Sequence, residues 1–247
     1  MKILTEYRYD GLLHLEFDFK GKKAIAVMIE DESKRNGKTV FKTEYFAAFP
    51  DLQNEFVRRG YTLIFLENRN RWGTDREIDD QVEFIDYAAK ELNISNKVIT
   101  IGMSCGGMMS ILIAAKSPKH IHGLYIDAPV VSFLSCPARM GNAPDVHDGM
   151  WQEFENAWNI TKAQLLTFTK HPFNKLNSLV ENKIRIYMAY GDSDKTVPYE
   201  ENGIAIENAY KSNKMEDFLY IDKKIGVDHH PHGPSDIDFA INYIEKW

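Results

Sequence analysis

One serine stands between two glycines where an apolar run meets a helix-like segment. The stretch "VITIGMSCGGMMSILIAA" (98–115) contains the pattern Gly102-x-Ser104-x-Gly106. Where a strand turns sharply into a helix, such a serine holds a strained backbone conformation that exposes its hydroxyl as a nucleophile. The backbone N–H of Cys105 would then donate to the oxyanion that forms on attack. The simpler alternative is that Ser104 only caps the following helix.

A nucleophilic serine needs an acid and a base, and a candidate acid follows in "YMAYGDSDKTVPYE". Asp194 lies three residues beyond Gly191, where an apolar segment ends, so we expect it on a loop. A carboxylate on such a loop can orient a histidine on the neighbouring loop. Asp192 is the competing acid, although its position nearer the strand end is typical of a turn residue.

A candidate base lies in "GVDHHPHGPSD", which holds three of the chain's eight histidines. We predict that His229 is the base, with His230 and His232 as alternatives. The competing interpretation is a metal site formed by these histidines and Asp228, but no partner motif such as H-E-x-x-H occurs elsewhere. We therefore predict neither a metal nor a cofactor.

Candidate substrate-binding residues come from two further segments. "ENRNRWGTD" follows a predicted strand, which places Arg69, Arg71 and Trp72 near the expected site, and Trp151 begins an aromatic-rich stretch. An arginine can bind a carboxylate and a tryptophan can stack on a sugar. We select Arg71, Trp72 and Trp151 as candidates. The alternative is that the arginines lie on the surface and the tryptophans pack in the interior.

The elements that must position these residues alternate along the chain. "LLHLEFDF" and "AIAVMIED" predict an N-terminal β-hairpin, and from residue 61 onward strand-like and helix-like segments follow one another. Such alternation predicts a mostly parallel central sheet with helices on both faces. Residues 130–175 interrupt the rhythm with turn residues and aromatics, and we predict a small cap insertion there. We expect one α/β domain over residues 1–247.

Composition limits the class of protein. The 247-residue chain is 44% hydrophobic, which is enough for a sizeable core. Its net charge of −6 gives no sign of the basic surface typical of nucleic-acid-binding proteins. No apolar segment has the length that a membrane span needs. The two cysteines, Cys105 and Cys136, do not suggest a disulfide framework. We expect a cytoplasmic protein with no nucleic-acid or membrane partner, and a homo-oligomer stays open.

Three motifs in chain order, "GMSCGG", "GDSDKTVP" and "GVDHHPHG", together resemble the α/β-hydrolase superfamily. The run "GLYIDAPVVSF" and the final histidine motif are similar to a bacterial esterase/peptidase-like, prolyl oligopeptidase-related subgroup that often carries "GHHPH". The resemblance implies an α/β-hydrolase fold with Ser104 as nucleophile, Asp194 as acid and His229 as base.

Two features depart from the family pattern. Asp228 stands where relatives usually have glycine, and no "HGGG" follows the "AIAVMIED" strand. The second oxyanion donor is therefore expected from the loop Glu30–Tyr45, without a named residue.

The resulting prediction is a serine hydrolase that cleaves a small-molecule carboxylic ester through an acyl-enzyme. An acylated carbohydrate or plant-derived molecule is one expected class of substrate. The alternatives are a peptidase or amidase using the same three residues, and a non-catalytic binding protein with this fold.

Overall fold

The computed structural model describes residues 1–229 and 233–246. Within these residues one sheet has nine strands: β1 (Ile3–Tyr9), β2 (Leu12–Phe19), β3 (Lys22–Ile29), β4 (Thr39–Lys42), β5 (Thr62–Leu66), β6 (Val98–Met103), β7 (Ile121–Asp127), β8 (Arg185–Gly191) and β9 (Leu219–Lys224). Their spatial order is β1-β2-β3-β5-β4-β6-β7-β8-β9.

Eight α-helices lie in the same described residues. They are α1 (Asp51–Arg58), α2 (Asp75–Leu92), α3 (Cys105–Lys116), α4 (Asp148–Trp158), α5 (Lys162–Leu165), α6 (Leu176–Glu181), α7 (Gly203–Ser212) and α8 (Ile237–Glu245). None of the helices in this part of the chain has the length and apolar composition needed to span a membrane.

The sheet is antiparallel at its N-terminal edge and parallel beyond it. β1, β2, β3 and β5 pair antiparallel in that order, and every pairing from β5 through β4 to β9 is parallel. Parallel strands need crossover connections, which α2, α3 and α7 supply. The predicted mostly parallel sheet with an antiparallel N-terminal hairpin is confirmed.

Helices cover both faces of the sheet, as a sheet buried on two sides requires. On one face, α1 and α8 pack through Leu52, Phe56 and Ile241 against strand residues. On the other face, α2 and α3 pack through Phe84 and Ile113 in the larger core cluster. The central strands β5 and β6 are buried at every position, which explains their continuous apolar runs.

Two strands differ from the sequence-based expectation. β1 extends the predicted hairpin by one exposed edge strand, and its mixed residues show no buried face. β4 lies inside the loop Glu30–Tyr45, for which no strand was predicted, and its four residues fill the gap between β5 and β6. Because β4 directly neighbours β6, the residues that follow it lie beside Ser104.

The segment between β7 and β8 carries α4, α5 and α6 and lies over the larger core cluster. Phe154 of α4 is buried and contacts Trp72 and Phe133, with ring centroids 5.6 and 4.7 Å apart. These contacts hold α4 close to the C-terminal edge of the parallel strands, where the chain leaves β6, β8 and β9.

Candidate active site

Ser104 lies at the corner between β6 and α3. Its backbone has φ 52° and ψ −118°, a left-handed conformation that costs about 1–3 kcal/mol for a residue other than glycine. The surrounding backbone holds it there, because the Ser104 N–H donates to the Asp127 carbonyl at 2.8 Å. Within the described residues its hydroxyl makes no capping bond to α3, so the helix-cap alternative does not describe its role.

Glycines make this corner sterically allowed. A Cβ on Gly102 would lie 2.1 Å from the carbonyl oxygen of Gly106, and a Cβ on Gly107 would lie 2.7 Å from the Pro129 side chain. Both distances are shorter than van der Waals contact, so α3 approaches β6 and the segment after β7 as closely as it does only without side chains at these positions.

Gly102→Ala is expected to destabilise the protein by about 4 kcal/mol or more, which single substitutions seldom reach. The added methyl group would collide with backbone at 2.1 Å, and rotation of a side chain cannot relieve that collision. Urea unfolding followed by circular dichroism measures the loss. The control is Gly149→Ala, whose Cβ meets only the His147 ring, at 3.0 Å. Equal unfolding midpoints for the two variants would contradict the prediction.

His229 joins the serine to a carboxylate. Its Nε2 lies 3.1 Å from the Ser104 Oγ, and its Nδ1 lies 2.8 Å from the Asp194 Oδ2. Ser104 follows β6, Asp194 follows β8 and His229 follows β9, so three loops at one edge of the sheet meet. The alternatives His230 and His232 lie outside the described residues.

Asp194 is buried and strongly hydrogen-bonded. Its Oδ1 accepts the N–H groups of Val197 at 2.7 Å and Thr196 at 2.9 Å. Burial raises the pKa of this carboxyl, but the hydrogen bonds from His229 and these N–H groups outweigh burial, and its pKa lies below the usual value. Asp194 therefore stays ionised beside the imidazole. The competitor Asp192 is exposed and accepts the Gly226 N–H at 2.7 Å.

Asp228, which departs from the family pattern, connects the loop after β8, which carries Asp194, to the loop after β9, which carries His229. Its Oδ1 accepts the N–H of Lys195 at 3.1 Å and the N–H of His229 at 2.7 Å. One carboxylate thus bonds to the residue after Asp194 and to the histidine itself. The sequence marks Asp228 only as a departure from the family pattern, and in the structure it makes a positioning contact with the base.

A cavity of about 410 Å³ opens beside Ser104. Its lining includes the candidate residues Arg71 and Trp72 together with Tyr45, Cys105, Cys136, Met150, Phe49 and His229. Trp151 is not part of this lining; it is 8% exposed and packs against Phe154, with ring centroids 5.4 Å apart. Packing against Phe154, one turn further along α4, therefore turns Trp151 away from the cavity, and Met150 lines the cavity instead.

The arginines near the cavity have protein partners. Arg71 contacts Glu153 of α4 and the Tyr45 hydroxyl. Arg69 instead pairs with Glu77 and Asp80 of α2, so it anchors its loop to that helix. Trp72 is 1% exposed and its indole N–H also reaches Glu153. Glu153 had no signal in the sequence, since it lies 82 positions from Arg71.

Cys105 begins α3 directly after the serine. As a first-turn residue its N–H has no partner within the helix and lies at the positive end of the helix dipole. Burial raises the pKa of its thiol to about 11, so the side chain stays protonated. Among the described residues, no three His, Cys, Asp or Glu side chains come together in a way that could hold a metal ion.

Solved structures with the same fold include both peptidases and an esterase. A Bacteroides ovatus protein assigned as a dipeptidyl aminopeptidase IV aligns with TM-score 0.69 and 13% identity over 95% of this chain and 35% of its own. Porphyromonas gingivalis dipeptidyl peptidase 4 aligns with TM-score 0.67 and 14% identity over 96% of this chain and 36% of its own. This chain therefore spans about a third of those two proteins.

Acetyl xylan esterase 1 from a Thermoanaerobacterium species aligns with TM-score 0.63 and 15% identity over 99% of this chain and 86% of its own. A search of curated protein sequences finds no significant match. The family model of the prolyl oligopeptidase family matches residues 60–225, more than half of the 247-residue chain and a range that includes both Ser104 and Asp194. The chain belongs to the prolyl oligopeptidase family and has the α/β-hydrolase fold.

Proposed function

We propose that the protein hydrolyses carboxylic esters, with Ser104 as nucleophile, His229 as general base and Asp194 as the group that orients the imidazole. The observation that carries this proposal is the pair of contacts made by one imidazole, 3.1 Å to the Ser104 Oγ and 2.8 Å to the Asp194 Oδ2. Both distances lie within hydrogen-bond range: the first allows the imidazole to accept the serine proton, and the second allows Asp194 to orient the imidazole.

The chemistry proceeds in two halves. The Ser104 Oγ bonds to the ester carbon while its proton moves to the His229 Nε2, and the carbonyl oxygen becomes an oxyanion. The oxyanion collapses, the alcohol leaves with the proton from His229, and an acyl-serine forms. Water then gives its proton to His229 and attacks the acyl carbon, which releases the carboxylic acid and returns the proton to Ser104. Asp194 stabilises the imidazolium in each half.

Two donors would stabilise the oxyanion. The first is the N–H of Cys105, the first residue of α3, which has no partner within the helix and directly follows Ser104. The second is the Tyr45 hydroxyl, which lines the same cavity and contacts the Cys105 side chain. The Tyr45 N–H already donates to Glu44 at 3.2 Å, so the hydroxyl is the better candidate. Burial raises the pKa of Tyr45 well above its usual range, which keeps this hydroxyl protonated and able to donate.

The lining of the cavity supports an ester with a small acyl group. Met150, Cys136 and Phe49 supply apolar surface, and about 410 Å³ falls within the range of small-molecule sites. The similarity to the acetyl xylan esterase extends over 86% of that enzyme, which favours an acylated carbohydrate as the alcohol part. The two dipeptidyl peptidase neighbours favour the second candidate, a peptidase with the same three residues.

A panel of matched chromogenic substrates separates the candidates. We expect turnover of 4-nitrophenyl acetate and butyrate, and of an acetylated xylo-oligosaccharide, with no detectable turnover of Ala-Pro-4-nitroanilide. A fluorophosphonate probe should label Ser104, as mapped by mass spectrometry. Turnover of the anilide with a kcat/KM equal to that of the esters would establish the peptidase. A chain that neither reacts with the probe nor turns over any substrate would be the non-catalytic binding protein.

A further inference from the structure

Glu153, on the exposed side of α4, accepts two N–H groups on one carboxylate oxygen and forms an ion pair with a further nitrogen of Arg71. Its Oε2 accepts the Arg71 Nε–H at 2.9 Å and the Trp72 indole N–H at 3.3 Å, and lies 2.8 Å from the Arg71 Nη2. The Trp158 indole N–H, also from α4, donates to the Trp72 carbonyl at 3.0 Å. Helix α4 is therefore bound to the loop that carries Arg71 and Trp72.

Arg71 passes this contact on to Tyr45. A guanidinium is planar, so fixing its Nε and Nη2 on one oxygen also fixes the direction of Nη1. That third nitrogen lies 3.3 Å from the Tyr45 hydroxyl oxygen. Because the oxygen accepts from Arg71, the hydroxyl hydrogen points elsewhere, and the Cys105 side chain is its neighbour. Arg71 therefore constrains the position of the Tyr45 hydroxyl oxygen and leaves the hydroxyl hydrogen to donate to another group.

We propose that Glu153 is a positioning residue for catalysis: through Arg71 it holds the Tyr45 hydroxyl where the oxyanion forms. This inference rests on the proposed ester hydrolysis. It assigns Arg71 to support of the oxyanion donor and not to a substrate carboxylate, since the guanidinium nitrogens that contact protein face Glu153 and Tyr45.

A purely structural role would have a different signature. The Glu153 side chain is 51% exposed, and exposed ion pairs contribute little to stability. Removing the carboxylate should leave the fold unchanged while it releases Arg71 and Tyr45. The loss should fall on the transition state, because the oxyanion exists only there, and not on binding of the ground-state ester.

The test combines single variants with a double-mutant cycle on 4-nitrophenyl acetate. We expect Glu153→Ala to lower kcat about tenfold with KM within about twofold, a fraction of the 10²–10³-fold that loss of a whole oxyanion donor costs. Glu153→Gln, which keeps an acceptor oxygen, should lose less. The matched control is Glu155→Gln on the same helix, which should retain wild-type kcat.

In the Tyr45→Phe background, Glu153→Ala should cause no further loss, because the group that it positions is absent. Wild-type kcat in Glu153→Ala, or a full tenfold loss that persists in Tyr45→Phe, would overturn the inference. Either result is distinct from failure of the proposed function, which would appear as undiminished ester hydrolysis by a Ser104→Ala variant.

Discussion

Ser104→Ala is expected to lower kcat for 4-nitrophenyl ester hydrolysis by roughly 10⁶-fold. Without Oγ no acyl-enzyme can form, and His229 is left with no proton to accept at 3.1 Å. The residual rate should come from the oxyanion donors and substrate binding alone. Initial rates on the purified variant measure the loss, and the fluorophosphonate adduct should disappear with it.

The fold should survive this substitution, because Ser104 holds its neighbours through its backbone. Its carbonyl accepts from Met108 and Val130, each at 3.2 Å, and alanine keeps these bonds. A matched control is Ser178→Ala on α6, which does not line the cavity beside Ser104 and should keep wild-type activity. Hydrolysis by Ser104→Ala at even one hundredth of the wild-type rate would exclude the covalent mechanism, because that rate far exceeds the residual rate of about 10⁻⁶ of wild type that we expect.

Asp194→Asn is expected to lower kcat by roughly 10⁴-fold. The Asp194 Oδ1 accepts two backbone N–H groups, from Thr196 and Val197, so the asparagine carbonyl must take that position. Its NH₂ group then faces the His229 Nδ1, where it must donate. The ring proton moves to Nε2, and that nitrogen can no longer accept from Ser104.

The control for this prediction is Asp192→Asn, the same change two residues earlier. Asp192 is exposed and bonds to the Gly226 N–H, which an asparagine oxygen can also accept. We expect near wild-type kcat in Asp192→Asn and unchanged circular dichroism in both variants. Comparable losses in the two variants would show that the loop, and not the Asp194 carboxylate, supports the reaction.

Most of the sheet could be predicted because its strands are apolar and alternate along the chain with segments that have the hydrophobic period of a helix. β2 and β6 fall where alternation and continuous apolar runs placed them. β1 could not be predicted because all its residues are exposed, and β4 because four residues are too few to show a period. The edge strand is defined by its partner β2, which its own sequence does not reveal.

The candidate site could be predicted in part because each of its three principal residues follows a recognisable strand. Parallel neighbours end at one edge, so loops after β6, β8 and β9 are brought together by topology alone. For Tyr45 the sequence indicated only its loop, Glu30–Tyr45, for Asp228 only a departure from the family pattern, and for Glu153 nothing. Glu153 in particular meets Arg71 only through the docking of α4, a contact between segments with no local pattern in common.

Two tryptophans show the limit of reasoning from residue type. Trp72 and Trp151 were equivalent in sequence, as aromatic residues near expected pocket segments. In the fold Trp72 lines the cavity, whereas Trp151 turns into the core beside Phe154. The rotation of α4 about its own axis decides that Met150, and not its neighbour Trp151, faces the cavity. Composition and residue spacing do not determine that rotation.

The left-handed backbone at Ser104 sets two selective pressures against each other. A glycine would adopt φ 52° without the penalty of about 1–3 kcal/mol, so the resting protein is less stable than its architecture allows. That deficit is the thermodynamic cost of presenting a hydroxyl for turnover. Variants chosen only for heat resistance would therefore tend to relax this corner and lose activity, a trade-off located at a single residue.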